Sequence, residues 1–160
     1  MFLSIFSIFL LSIPQIHSIN TIPAVHGQPL INLAERLIHS IINYDLVGTL
    51  NLITQPFHIL NAQNQRLHHN DEMEELFNLI HHQNSIAIVL RVCDGKTKGN
   101  RLNKQEKEFD IKTSAAQFKL LTLLQNKSYK FFALKNETGR ANHTRCYENP
   151  QQRNLFGSSH

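Results

Sequence analysis

From residue 30 onward the apolar positions recur at three and four residues. Leu30, Leu33, Ala34, Leu37, Ile38, Ile41 and Ile42 share one stripe, with Asn32, Glu35, Arg36 and Ser40 opposite. That spacing predicts a long amphipathic helix. Asn43-Tyr44-Asp45 interrupts it, and Asp45 can cap a second, shorter helix through Leu46, Val47, Leu50 and Ile53. Pro56 forbids its continuation. The period then changes: Phe57 to Leu60 reads as a strand, Asn61 to Asn64 as a turn, and Gln65 to His69 as a return strand. Asp71 opens a third helix, with Glu74 three residues on in the manner of a capping box and Met73, Leu76, Phe77 and Ile80 as its buried stripe. The rest is β-rich. Ser85 to Cys93 is a continuous β-branched run, like a central strand. Asp94 to Lys107 is polar and basic and reads as a long hairpin connection. Phe109 to Thr113, Phe118 to Leu124 and Tyr129 to Leu134 follow as strands, and the composition turns polar after Asn136.

The N-terminus changes the setting of this domain. Met1 to Ile13 is dominated by Phe, Ile and Leu, Pro14 breaks the run, and Ser18 is a small residue at a cleavage-compatible position. This is the pattern of a secretory signal peptide, too short for a membrane span of about 20 apolar residues. The chain then divides into a signal peptide (1–18), an irregular leader (19–29), a domain (30–136) and a polar tail (137–160). Secretion gives meaning to the two cysteines, Cys93 and Cys146, which in an oxidising compartment are expected to pair and so pin the tail. It also gives meaning to three sequons, at Asn126, Asn136 and Asn142. The formal net charge of +4 is too small to indicate a nucleic-acid partner, and no later run suggests stable membrane insertion.

The order of elements resembles the nuclear transport factor 2-like family, also called SnoaL-like, and in particular its secreted nematode versions. The resemblance covers Leu30 to Asn136. It is carried by Ile42-Asn-Tyr-Asp45 with Leu46 to Leu50 and Pro56-Phe57, by the hairpin leading into Asp71 to Leu76, and by Phe109-Asp-Ile111, Gln117 to Leu120 and Tyr129 to Phe132. It implies an α+β fold: a long N-terminal helix and short helices packed on a strongly curved antiparallel sheet, the cone-like, cystatin-like superfold. Members of the family include enzymes that isomerise, dehydrate or hydrolyse small apolar substrates. Others only bind partners or dimerise through the open sheet face, here Ile86 to Val92 and Phe118 to Leu124. The Gln-x-Val-x-Gly segment of cystatin-type protease inhibitors is missing from the sequence.

The chemistry is sparse. Ten histidines are present, but His68-His69 diverge on a strand and His81-His82 diverge on a helix, so neither pair presents a metal site. No cofactor motif occurs: Gly95 and Gly99 lack phosphate-loop spacing, and there is no Gly-x-Ser-x-Gly elbow. The polar residues that a pocket could use are Tyr44, Asp45, His58 and Asp110. Alternation sets His58 against Phe57 and Ile59, and Asp110 against Phe109 and Ile111. The expectation is a secreted, non-catalytic domain that binds a small apolar ligand or a protein. Two alternatives stand beside it. One is a small pocket enzyme with Asp45, His58 or Asp110 as base. The other is a binder of acidic glycans through Lys96, Lys98, Arg101, Lys104 and Lys107.

Overall fold

The computed structural model describes residues 25–67, 71–81, 86–96, 99, 101–114, 116–136 and 145–155. The signal segment, leader residues 19–24, His68, His69, His82 and the Asn142 sequon lie outside the described residues. Among the described residues, three α-helices pack on a curved, mixed six-stranded sheet, in the order α1 (Gly27–Ile42), α2 (Leu46–Leu52), β1 (Ile53–Leu60), α3 (Glu72–Ile80), β2 (Ile88–Lys96), β3 (Leu102–Lys112), β4 (Gln117–Gln125), β5 (Ser128–Lys135) and β6 (Cys146–Glu148), closed by a 3-10 turn at Pro150–Leu155.

Helix α1 starts three residues before the expected domain boundary, taking in Gly27, Gln28 and Pro29. Pro29 is tolerated because the first-turn N–H groups have no intrahelical acceptor. Its buried stripe contains Ile31, while Ile42 is 41% exposed, so the face toward the sheet is turned slightly from the expected one. The helix stops in a Schellman arrangement: Tyr44 N–H bonds the Ile41 carbonyl (3.1 Å) and Asp45 N–H the Ser40 carbonyl (2.8 Å), with Tyr44 at φ +54°. Asp45 then caps α2, its Oδ1 accepting from Gly48 N–H at 2.9 Å. Asp71 caps α3 in the same way, accepting from Met73 and Glu74 N–H at 3.0 Å each.

The strand order is β1-β5-β4-β3-β2-β6. All pairs are antiparallel except β1 with β5, which is parallel, so the sheet is mixed where a wholly antiparallel one was expected. β1 begins at Ile53, directly after α2, and the expected return strand reduces in the described residues to one bridge, Leu60 to Arg66. Register shifts in β1, β2–β3 and β4–β5 supply local bends of the kind that curve a sheet. The expected long connection after Asp94 is mostly strand: β2 runs to Lys96 and β3 starts at Leu102.

The tail joins the sheet. Cys146 lies directly across from Cys93 and is disulfide-bonded to it. Tyr147 sits over Gly27, where any side chain would collide with its ring, and its hydroxyl bonds Gln28 Oε1 at 3.2 Å. Asn149 is buried and donates to the Val89 carbonyl at 2.8 Å. Between helices and sheet the core is filled by Ile31, Leu37 and Ile41 from α1, by Leu76 and Ile80 from α3, and by large side chains from the sheet. Phe109 and Phe131 meet there with ring centroids 5.4 Å apart.

Candidate functional site

The four polar residues singled out in the sequence fall into separate clusters. Asp45 is occupied as the α2 cap. Its neighbour Tyr44 is 68% exposed, with its ring 4.5 Å from that of His81 and its hydroxyl 3.4 Å from His81 Nδ1. Tyr44 forms an apolar corner with Ile42, Leu46 and Val47, all exposed. His58 points away from the buried Phe57 and Ile59, as alternation predicts. Its Nδ1 is buried without a hydrogen bond, 3.9 Å from Glu72 Oε1. Arg66 holds both oxygens of that carboxylate, at 3.1 and 3.3 Å.

Asp110 faces the outer side of the sheet, opposite the fully buried Phe109 and Ile111. It pairs there with Arg91, and with Lys119 at 3.5 Å. Lys119 also lies 3.5 Å from Glu108, and Arg91 lies 4.0 Å from Glu148. The strand period puts Asp110 in this ion-pair network and out of the interior. Among the described residues no three His, Cys, Asp or Glu side chains converge as a metal site would require.

The sequence reading missed a polar group on the inner face. Asp94 and Lys107 are register partners across β2 and β3, 1% and 4% exposed, and form an ion pair. Asp94 Oδ2 is buried with no hydrogen-bond partner. Thr122, next in the row, donates to the Lys107 carbonyl at 3.1 Å. Burial pushes the Tyr129 phenol above its ordinary range, and the charge of Asp94 adds to the shift. Burial, then repulsion from Glu108, raises the Glu106 carboxyl. The signal was present in the sequence: Asp94 follows Val92 by two residues and Lys107 precedes Phe109 by two, one step of alternation beyond the apolar core. Lys107 thereby leaves the expected basic loop, since it is buried and its charge is met by Asp94.

Open hollows lined by described residues lie outside the core. A groove of about 590 Å³ between α1 and α2 is lined mainly by polar groups, Glu35, Arg36 and Asp45 among them. A cleft of about 360 Å³ lies between α2, β1 and α3. Leu50, Pro56, Phe57 and Met73 make its apolar side, and Arg66, Asp71 and Glu72 its charged rim.

No protein-family model matches this chain, and no curated protein matches it. Among solved structures it is similar to an NTF2-like protein of unknown function from Shewanella baltica, at 11% identity and TM-score 0.44, over 70% of this chain and 92% of that one. It is also similar to a protein of unknown function with a cystatin-like fold from Nostoc punctiforme, at 12% identity and TM-score 0.44, over 70% and 90%. A third, an NTF2-like protein of unknown function from Cytophaga hutchinsonii, is similar at 14% identity and TM-score 0.36, over 75% and 89%.

Proposed function

We propose that this chain is a secreted recognition domain that meets a protein partner on its surface and performs no chemistry of its own. The filled interior carries this reading. The space between helix and sheet in which an apolar ligand would sit is taken by Phe109, Phe131 and Leu120 from the sheet and by Leu37 and Ile41 from α1. Close-packed side chains of this size leave recognition to the surface. The exposed corner of Tyr44, Leu46 and Val47 supplies an apolar patch there. The Cys93–Cys146 disulfide supports an oxidising destination, and Asn126 and Asn136 are both exposed, as glycan acceptors must be. No described helix is long and apolar enough to cross a membrane. Against the pocket-enzyme alternative, Asp45 is engaged as a cap, and His58 and Asp110 stand in charged clusters.

Native mass spectrometry of the protein collected from the medium of eukaryotic cells tests this reading. The expected species starts at Ile19, carries glycan, keeps the disulfide and holds no small molecule. A doubled mass would identify a second copy as partner, with the outer face of β2 to β4 as the contact to test. A retained apolar molecule would overturn surface recognition, and failure to reach the medium would overturn secretion.

A further inference from the structure

We propose that the groove between α1 and α2 holds a sugar chain attached to Asn126 of this same protein. The proposal rests on the secretion reading and gives the glycan a site on the fold. Asn126-Lys-Ser128 has the N-glycosylation spacing, and all three residues are exposed. Asn126 and Lys127 form the two-residue tip of the β4–β5 hairpin, closed by the pair Gln125–Ser128. The tip and the groove lie at the same end of the sheet. β1 runs parallel to β5, with Ile53 opposite Phe131, so the end of α2 that feeds β1 stands beside the start of β5. The Lys130 ammonium donates to the Asn51 carbonyl there, and Asn51 lines the groove. Ser128 is two strand steps from Lys130, about 7 Å.

The groove suits an uncharged, hydroxyl-rich chain. Its volume, about 590 Å³, is within the range of ligand sites. Asn32, Arg36, Ser40 and Asn51 supply donors along it, and Glu35 and Asp45 supply acceptors. Arg36 makes no ion pair among the described residues, while Glu35 and Asp45 each have one oxygen engaged, by Asn149 and by Gly48. An open polar groove holds a free sugar weakly, because water competes for each of these groups. Attachment changes that balance, since a tethered chain stands over the groove at about millimolar effective concentration. The tether thereby selects the occupant.

The test is hydrogen exchange, read by mass spectrometry, on the disulfide-bonded protein secreted from eukaryotic cells. Ser128→Ala removes the sequon and keeps Asn126 in its turn. Exchange in residues 32–40 and 45–52 should be about fivefold faster in this variant and unchanged in α3. Asn136→Gln, which removes a different sequon, should leave both segments as they are. Ser128→Ala in refolded protein made without glycans should have no effect, which separates the sugar from the substitution. Arg36→Ala combined with Asn51→Ala should free the sugar, so that an endoglycosidase trims Asn126 faster from the folded protein; an unchanged trimming rate would overturn the site. If Asn126 is unmodified in the secreted protein, the proposal fails while surface recognition stands. Occupied Asn126 with equal exchange in wild type and Ser128→Ala would sink it in the same way. Failure of the broader reading shows separately, as a retained apolar molecule in the native mass spectrum of the Ser128→Ala protein.

Discussion

The Asp94–Lys107 pair shows how much a single residue can depend on its neighbour. Both side chains are buried, so each charge is tolerated only beside the other. Lys107→Met should destabilise the fold by about 3–5 kcal/mol, because Asp94 is left buried and uncompensated. Asp94→Leu combined with Lys107→Met should recover most of that loss, and urea unfolding of the two variants measures the difference. Glu106 gives a pH-dependent prediction. Its folded carboxyl holds the proton more tightly than the unfolded chain does, through burial and then Glu108. The linked stability is therefore present below the ordinary glutamate range and is lost as pH rises through the raised folded value. Glu106→Gln should raise the unfolding midpoint at neutral pH and give no gain at pH values below that range. Thermal melts at the two pH values check the sign. In the sequence Lys107 stands out only as part of a basic run, because Asp94 and Lys107 become partners through strand register.

At the scale of elements, local chemistry was readable and long-range pairing was not. The α1 stripe from Leu30 to Ile41, the Asp45 and Asp71 caps and the outward turn of His58 and Asp110 all follow from spacing within a few residues. The parallel pairing of β1 with β5 does not, since nothing near Ile53–Leu60 marks Ser128–Lys135 as its neighbour. The α1–α2 corner contains a local conflict. Tyr44 occupies the left-handed position that glycine fills in most such helix ends. Tyr44→Gly should remove that strain and stabilise the protein by about 1 kcal/mol, after loss of the contact with His81. A melting temperature higher by roughly 4 °C would confirm it. A lower one would show that the His81 contact outweighs the strain.

For the whole molecule, the cross-strand disulfide fastens the tail to β2 across a sequence separation of 53 residues. Closing a loop of that size contributes about 4 kcal/mol on the chain-entropy model. Replacing Cys93 and Cys146 together by serine should lower the denaturant midpoint by a corresponding amount. Hydrogen exchange should then report the earliest loss of protection in β6, whose ladder is only three residues long. The sequence announced the bridge through its cysteine count, but not that Tyr147 and Asn149 would lock the same segment against α1 and β2.

The strand order also bears on synthesis. β1 is made before β2, β3 and β4, yet its ladder partner β5 follows them, and β2 gains β6 only after Cys146 has emerged. Both outer pairings of the sheet therefore wait for segments made after β2, β3 and β4. A ribosome stalled before Cys146 would carry a product with the β2 edge uncovered and one unpaired thiol, a natural substrate for chaperones and for mispairing with other chains.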